Sequence, residues 1–223
     1  MPKVILLDID DTLLSFQAYV REGMKSGFEA FGIGPYEEEM LSVFHQVNAR
    51  LWHELEEGTL SFEELKKIRW NLVFEALGIQ ADGVKFEEYF RDRLFDSAIP
   101  EDGAMELLAY LKGKYVLCAA SNGPYLQQKN RLKTGGMLSY FSHLFISEEI
   151  GYDKPKKEYF DFVYSNISEK DKSKTLIIGD SLNSDITGAI GYGVDCCWVN
   201  RGEDKSDSAT YTVKKVEELL LII

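Results

Sequence analysis

Four short, predominantly apolar runs recur along the chain, and each stops at polar or turn-forming residues. Val4-Ile5-Leu6-Leu7 ends at Asp8, residues 115–120 end at Ser121-Asn122-Gly123, residues 175–178 end at Gly179-Asp180, and residues 194–199 end at Asn200. Runs that are apolar on both faces suit strands of a parallel sheet, which is covered by helices on each side. The stretches between them change period. Met105, Leu108 and Leu111 within 102–112, and Tyr159, Phe160 and Val163 within 156–166, recur at helical spacing. This alternation predicts an α/β fold, a doubly wound Rossmann-like parallel sheet. Ligands of such sheets bind outside the carboxyl ends of the strands, where Asp8, Ser121 and Asp180 all fall.

Residues 15–96 break the rhythm, with helical spacing throughout and no run that reads as a buried strand. Phe44, Val47, Leu51 and Leu55 form one stripe that Gly58 closes; Ser61 and Glu64 form a capping box for the next, Leu65, Ile68 and Leu72, which ends near Gly78. The expected organisation is a core of residues 1–14 and 97–223 with an all-helical insertion at 15–96. An insertion placed directly after the first strand predicts a mobile cap. Phe16, Tyr19, Trp52 and Trp70 either stack a planar substrate there or form the insertion's own core.

Composition narrows the function classes. At 223 residues, 45% hydrophobic and 28% charged, the chain can bury a full core. Its net charge of -12 repels nucleic-acid polymers and anionic membrane surfaces, so a small anionic substrate requires a bound cation and local donors to reverse the potential in one pocket. Cys118, Cys196 and Cys197 lie in strand-like runs and read as buried free thiols. No apolar run reaches membrane-spanning length, and the residues before Asp8 lack a signal-peptide h-region; a cytoplasmic setting is expected.

Asp8 and Asp10 leave a strand end two positions apart, and Asp180 leaves another. Singly, such acids cap helices or begin turns; together they suit a hard divalent cation such as magnesium. Ser121-Asn122-Gly123-Pro124 reads either as a plain turn or as a hydroxyl and backbone N–H groups holding phosphate oxygens at a helix start. Lys154, in Asp153-Lys154-Pro155-Lys156-Lys157, is either one of a solvated lysine cluster or a single point charge turned inward against phosphate. His45, His53 and His143 are scattered and suggest no triad.

These pieces resemble, in order and across the whole chain, the four motifs of the haloacid-dehalogenase-like hydrolases: Asp8-Ile9-Asp10-Asp11-Thr12-Leu13, Ser121-Asn122, Lys154-Pro155, and Gly179-Asp180-Ser181-Leu182-Asn183-Ser184-Asp185. The resemblance implies that Asp8 is a nucleophile forming an aspartyl-phosphate, and that Asp10 protonates the leaving oxygen and then activates water. It further implies that Asp8, the Asp10 carbonyl and Asp180 hold Mg2+ with Asp185 in support, and that Lys154, Ser121 and Asn122 fix the phosphoryl group. Members that remove halide lack an acid two residues after the nucleophile. Residues 179–193 with Cys196-Cys197-Trp198-Val199-Asn200 are similar to the pyrimidine 5'-nucleotidase subgroup, implying a nucleoside monophosphate as the small phosphorylated substrate.

Two other readings use the same residues. A sugar-phosphate phosphatase or phosphosugar mutase shares the core and differs in the cap. A phospho-accepting signalling domain also combines an acid pair, a hydroxyl residue and a lysine. It would carry its phospho-acceptor on a central strand rather than the first, and would lack a helical insertion of this length.

Overall fold

The computed structural model describes residues 2–202 and 206–223. Its six strands are β1 (Val4–Leu7), β2 (Val116–Ser121), β3 (His143–Ile146), β4 (Thr175–Gly179), β5 (Asp195–Val199) and β6 (Tyr211–Val213). All pair in parallel, in the order β3-β2-β1-β4-β5-β6. The helices are α1 (Phe16–Phe31), α2 (Met40–Glu56), α3 (Phe62–Leu77), α4 (Gly83–Asp96), α5 (Ala104–Leu111), α6 (Tyr125–Thr134), α7 (Ser147–Ile150), α8 (Lys157–Asn166) and α9 (Gly188–Tyr192). The fold is thus the doubly wound α/β sheet that the apolar runs predict.

The chain divides into two compact units, Met1–Phe16 with Ala98–Ile223, and Gln17–Ser97. In the first, β1 is buried at every position because its alternate side chains enter two different cores. Ile5 and Leu7 pack with Leu107, Leu108 and Leu111 of α5, Leu132 of α6 and the C-terminal Val216 and Leu219. Val4 and Leu6 pack with Tyr159, Phe160 and Val163 of α8 and Ala189 of α9. Leu6 lies opposite Cys118 on β2 and Ile177 on β4. The strand order reverses direction between β1 and β4, which opens a crevice beyond their carboxyl ends. First in sequence, β1 nevertheless lies inside the sheet. The contrast with a signalling domain therefore rests on chain order and the helical insertion, not on an edge position.

The second unit holds α2 to α4 and nearly all of α1, with no strand among its described residues. Ser61 and Glu64 form a reciprocal capping box at the start of α3, and Gly78 ends it in the left-handed conformation. Trp70 packs against Phe44, Phe74, Phe86 and Phe90, and Tyr19 against Phe90, so these two aromatics belong to the unit's own core. Gly27 is required where α1 meets α4, because a Cβ there would collide with the Phe86 ring.

Candidate active site

Three strand ends and one loop supply the predicted residues. Asp8 follows β1, and its N–H donates to the Ile178 carbonyl of β4 (2.9 Å), which continues the sheet and sets the carboxylate at the crevice. Ser121 ends β2, Asp180 follows β4, and Asp185 lies in the wide helical turn Leu182–Thr187 that precedes α9. Lys154 comes from the loop before α8, and its Nζ donates to Asp8 Oδ1 (2.7 Å), Asp185 Oδ1 (2.6 Å) and the Ala120 carbonyl (2.7 Å). An ammonium has three N–H donors, and all three are used. The inward reading of Lys154 is the one the fold adopts, since the residue is 1% exposed.

Asn122 explains how that lysine is placed. Its side-chain Nδ2 donates to the Lys154 carbonyl (2.8 Å) and its Oδ1 accepts from the Lys154 N–H (2.9 Å), a two-point clamp across the loop. The amide retains a second N–H. Ser121 Oγ accepts from the Gly123 N–H (3.1 Å) and from Gln128 Nε2 (2.8 Å), which leaves its own proton to donate. Asp185 is tied on both oxygens, by Lys154 and by the Ser181 N–H (3.1 Å). Gly179 permits this, because any Cβ at that position would occupy the place of the Asp185 carboxylate. Trp198 donates from Nε1 to the Asp180 carbonyl (2.8 Å), fixing the chain at the end of β4.

Asp8, Asp180 and Asp185 present oxygens within 4.8 Å of one another, forming among the described residues the one acid cluster fit to hold a metal ion. Burial drives the Asp8 carboxyl well above its usual range; Lys154 opposes this, while Asp185 and Asp10 add to it. Asp180 is raised by burial and by the charges of Asp8, Asp11 and Asp185. Lys154 is pushed down by burial but raised overall by Asp185 and Asp8. One ammonium among three carboxylates leaves two negative charges uncompensated, the charge of a divalent cation, and an all-oxygen donor set fits Mg2+.

Asp10 is held by side chains that its spacing from Asp8 does not reveal. Its carboxylate accepts from Gln128 Nε2 at Oδ2 (2.6 Å) and from Arg131 Nη1 at Oδ1, both on α6. Sequence reading passed over these two residues, as glutamine and arginine on a helix are usually taken as solvated. The missed signal is that α6, Tyr-Leu-Gln-Gln-Lys-Asn-Arg-Leu-Lys-Thr, has too few apolar residues to cover a sheet, so polar ones must face inward. The three histidines stay outside the acid cluster.

The haloacid dehalogenase-like hydrolase family profile matches residues 2–193. A crystal structure of the HAD-hydrolase YfnB of Bacillus subtilis bound to magnesium superposes with a TM-score of 0.91 at 35% identity, covering 99% of this chain and 98% of that one. The pyrimidine 5'-nucleotidase YjjG of Escherichia coli is 30% identical, over 96% of this chain and 95% of its own. The pyrimidine 5'-nucleotidase PynA of Streptococcus pneumoniae is 31% identical, over 98% and 93%. A profile spanning most of the chain, together with full-length relatives at this identity, places the protein in the haloacid dehalogenase-like hydrolase family.

Proposed function

We propose that this chain is a magnesium-dependent phosphomonoester hydrolase that works through an aspartyl-phosphate on Asp8, with a pyrimidine nucleoside 5'-monophosphate as substrate. The observation that carries the reading is Asp8 itself, at the mouth of the sheet, with one oxygen held by Lys154 and the Asp180 and Asp185 carboxylates beside it. Its side chain keeps 10% exposure, so a phosphorus atom can approach the second oxygen.

In the first half-reaction the free Asp8 oxygen bonds to phosphorus as the P–O ester bond breaks. The electron pair leaves with the ester oxygen, which takes a proton from the Asp10 carboxyl. In the second, water attacks phosphorus, gives its proton to the Asp10 carboxylate, and releases inorganic phosphate with Asp8 restored. Ser121 and the remaining Asn122 N–H donate to phosphoryl oxygens, and Lys154 adds positive charge. Asp8, the Asp10 carbonyl and Asp180 would hold Mg2+, with Asp185 behind them; the ion supplies charge neutralisation between carboxylate and phosphate.

Substrate choice is assigned to the helical insertion at 15–96, because one core serves many substrates in such folds. The pyrimidine assignment is supported by what YjjG and PynA are named for. The net charge of -12 makes a nucleic-acid polymer or an anionic membrane a poor partner, and among the described residues no helix is long and apolar enough to cross a membrane. Three buried free thiols suit a cytoplasmic setting.

The test is phosphate release from pyrimidine and purine monophosphates, sugar phosphates and phosphoglycolate, each with Mg2+ and with chelator. Pyrimidine monophosphates are expected to lead, only with Mg2+; sugar phosphates leading instead would replace the substrate assignment. Asp8→Asn is expected to lose all measurable turnover while keeping the fold. Full activity in that variant would overturn the mechanism.

A further inference from the structure

We propose that Gln128 and Arg131 are positioning residues that aim the Asp10 carboxyl at the leaving oxygen, and that they do so as one buried relay running from Ser121 to Asp10. The proposal deepens the phosphohydrolase reading and rests on it. Asp10 sits in the loop after β1 with its side chain 33% exposed, and its carboxyl group takes its side-chain partners from α6. Two donors one helical turn apart on that helix fix it. Gln128 Nε2 meets Oδ2 at 2.6 Å, and Arg131 Nη1 meets Oδ1. The donors also hold each other, because Arg131 Nη1 donates to Gln128 Oε1 (3.0 Å). That contact orients the Gln128 amide with its Nε2 toward Asp10 and Ser121 Oγ, the latter at 2.8 Å.

Burial makes the arrangement costly without a use. Gln128 is 0% and Arg131 1% exposed, so both polar side chains are taken out of water. Gly123 keeps the relay open, since a Cβ there would come within 2.6 Å of Gln128 Nε2. A hydroxyl placed for the phosphoryl oxygens and an acid placed for the ester oxygen are thereby held in one register by the same amide. In the first half-reaction the Asp10 proton goes to the oxygen that takes the P–O electron pair, so mis-aiming Asp10 slows ester cleavage in proportion to that oxygen's need for a proton.

The test compares kcat/KM, which reads the steps through ester cleavage, for two esters on one preparation. An alkyl ester, uridine 5'-monophosphate, needs the proton; p-nitrophenyl phosphate releases a stable anion and does not. Positioned acid catalysis contributes on the order of 100-fold or more, so Arg131→Met is expected to lower kcat/KM about 100-fold on the alkyl ester and less than about threefold on p-nitrophenyl phosphate. Misfolded protein lowers both equally, so the ratio reports aiming and not folding. Arg131→Lys, which keeps one charged donor, is expected to restore part of the ratio, and Gln128→Leu gives a second reading should Arg131→Met fail to accumulate. An unchanged ratio in the Arg131 and Gln128 variants would overturn the positioning role. Wild-type protein that cleaves neither ester would instead overturn the phosphohydrolase reading itself.

Discussion

Lys154 shows what a single side chain must do in this site. Its ammonium pairs with Asp8 and Asp185 at once and uses its third proton on the Ala120 carbonyl, while Asn122 fixes the backbone on either side. Lys154→Met is therefore expected to do more than remove a phosphate contact. It leaves two buried carboxylates facing each other, a loss of about 3–5 kcal/mol at neutral pH, since breaking a buried pair strands the remaining charge. Urea denaturation would check this, and a loss below about 1 kcal/mol would show that Asp8 and Asp185 find other compensation. The acids, the serine and this lysine were legible in the sequence because each follows an apolar run or sits in a short motif. Gln128 and Arg131 were not, because their role depends on which face of α6 turns inward, and that is decided by residues more than a hundred positions away.

At the scale of elements, legibility follows burial. β1, β2 and β4 are buried throughout or nearly so, and β5 is buried after its exposed Asp195, so these four stand out, whereas β3 has two half-buried positions and β6 is a three-residue edge strand with two exposed ones. In the helical unit, the capping box of α3 was readable, but its internal pairing was not. Arg69 of α3 donates to Glu87 of α4 through Nη2 (2.7 Å) and Nε (3.0 Å), and to Asn48 of α2 through Nη1 (3.0 Å). The guanidinium also lies 5.2 Å from the Phe90 ring centroid and 5.8 Å from that of Phe44. This buried fork ties three helices together at a defined register. Glu87→Gln is expected to destabilise the unit by about 3–5 kcal/mol, whereas Arg69→Met with Glu87→Leu costs much less, because the paired replacement strands no charge. Tryptophan fluorescence during urea unfolding can read this, as Trp52 and Trp70 lie in the helical unit and Trp198 in the sheet unit. A double variant no more stable than Glu87→Gln would refute the stranded-charge account.

At the scale of the whole molecule, a chain of net charge -12 concentrates further negative charge in its site, and the consequence is a stability that depends jointly on pH and on the cation. Burial and mutual repulsion raise Asp8 and Asp180 above their ordinary values. In the pH range between the unfolded carboxylate value, about 4, and those raised values, the metal-free folded protein binds more protons than the unfolded chain, so its stability falls as pH rises. On the proposed magnesium site, Mg2+ would compete with those protons and bind only the folded protein, so its stabilisation would grow over the same range. The expected outcome is a Tm increase from saturating Mg2+ of several degrees at about pH 7.5, on the scale of roughly 2–4 °C per kcal/mol for a chain of this length, and a much smaller one at about pH 5. Sodium chloride at matched ionic strength separates this from general screening of the acidic surface, which any salt provides. Asp180→Asn should abolish the Mg2+-specific part while leaving the salt effect in place. If Mg2+ raised Tm equally at both pH values, or no more than matched sodium chloride did, the acid cluster could not be the cation site on which the proposed chemistry depends.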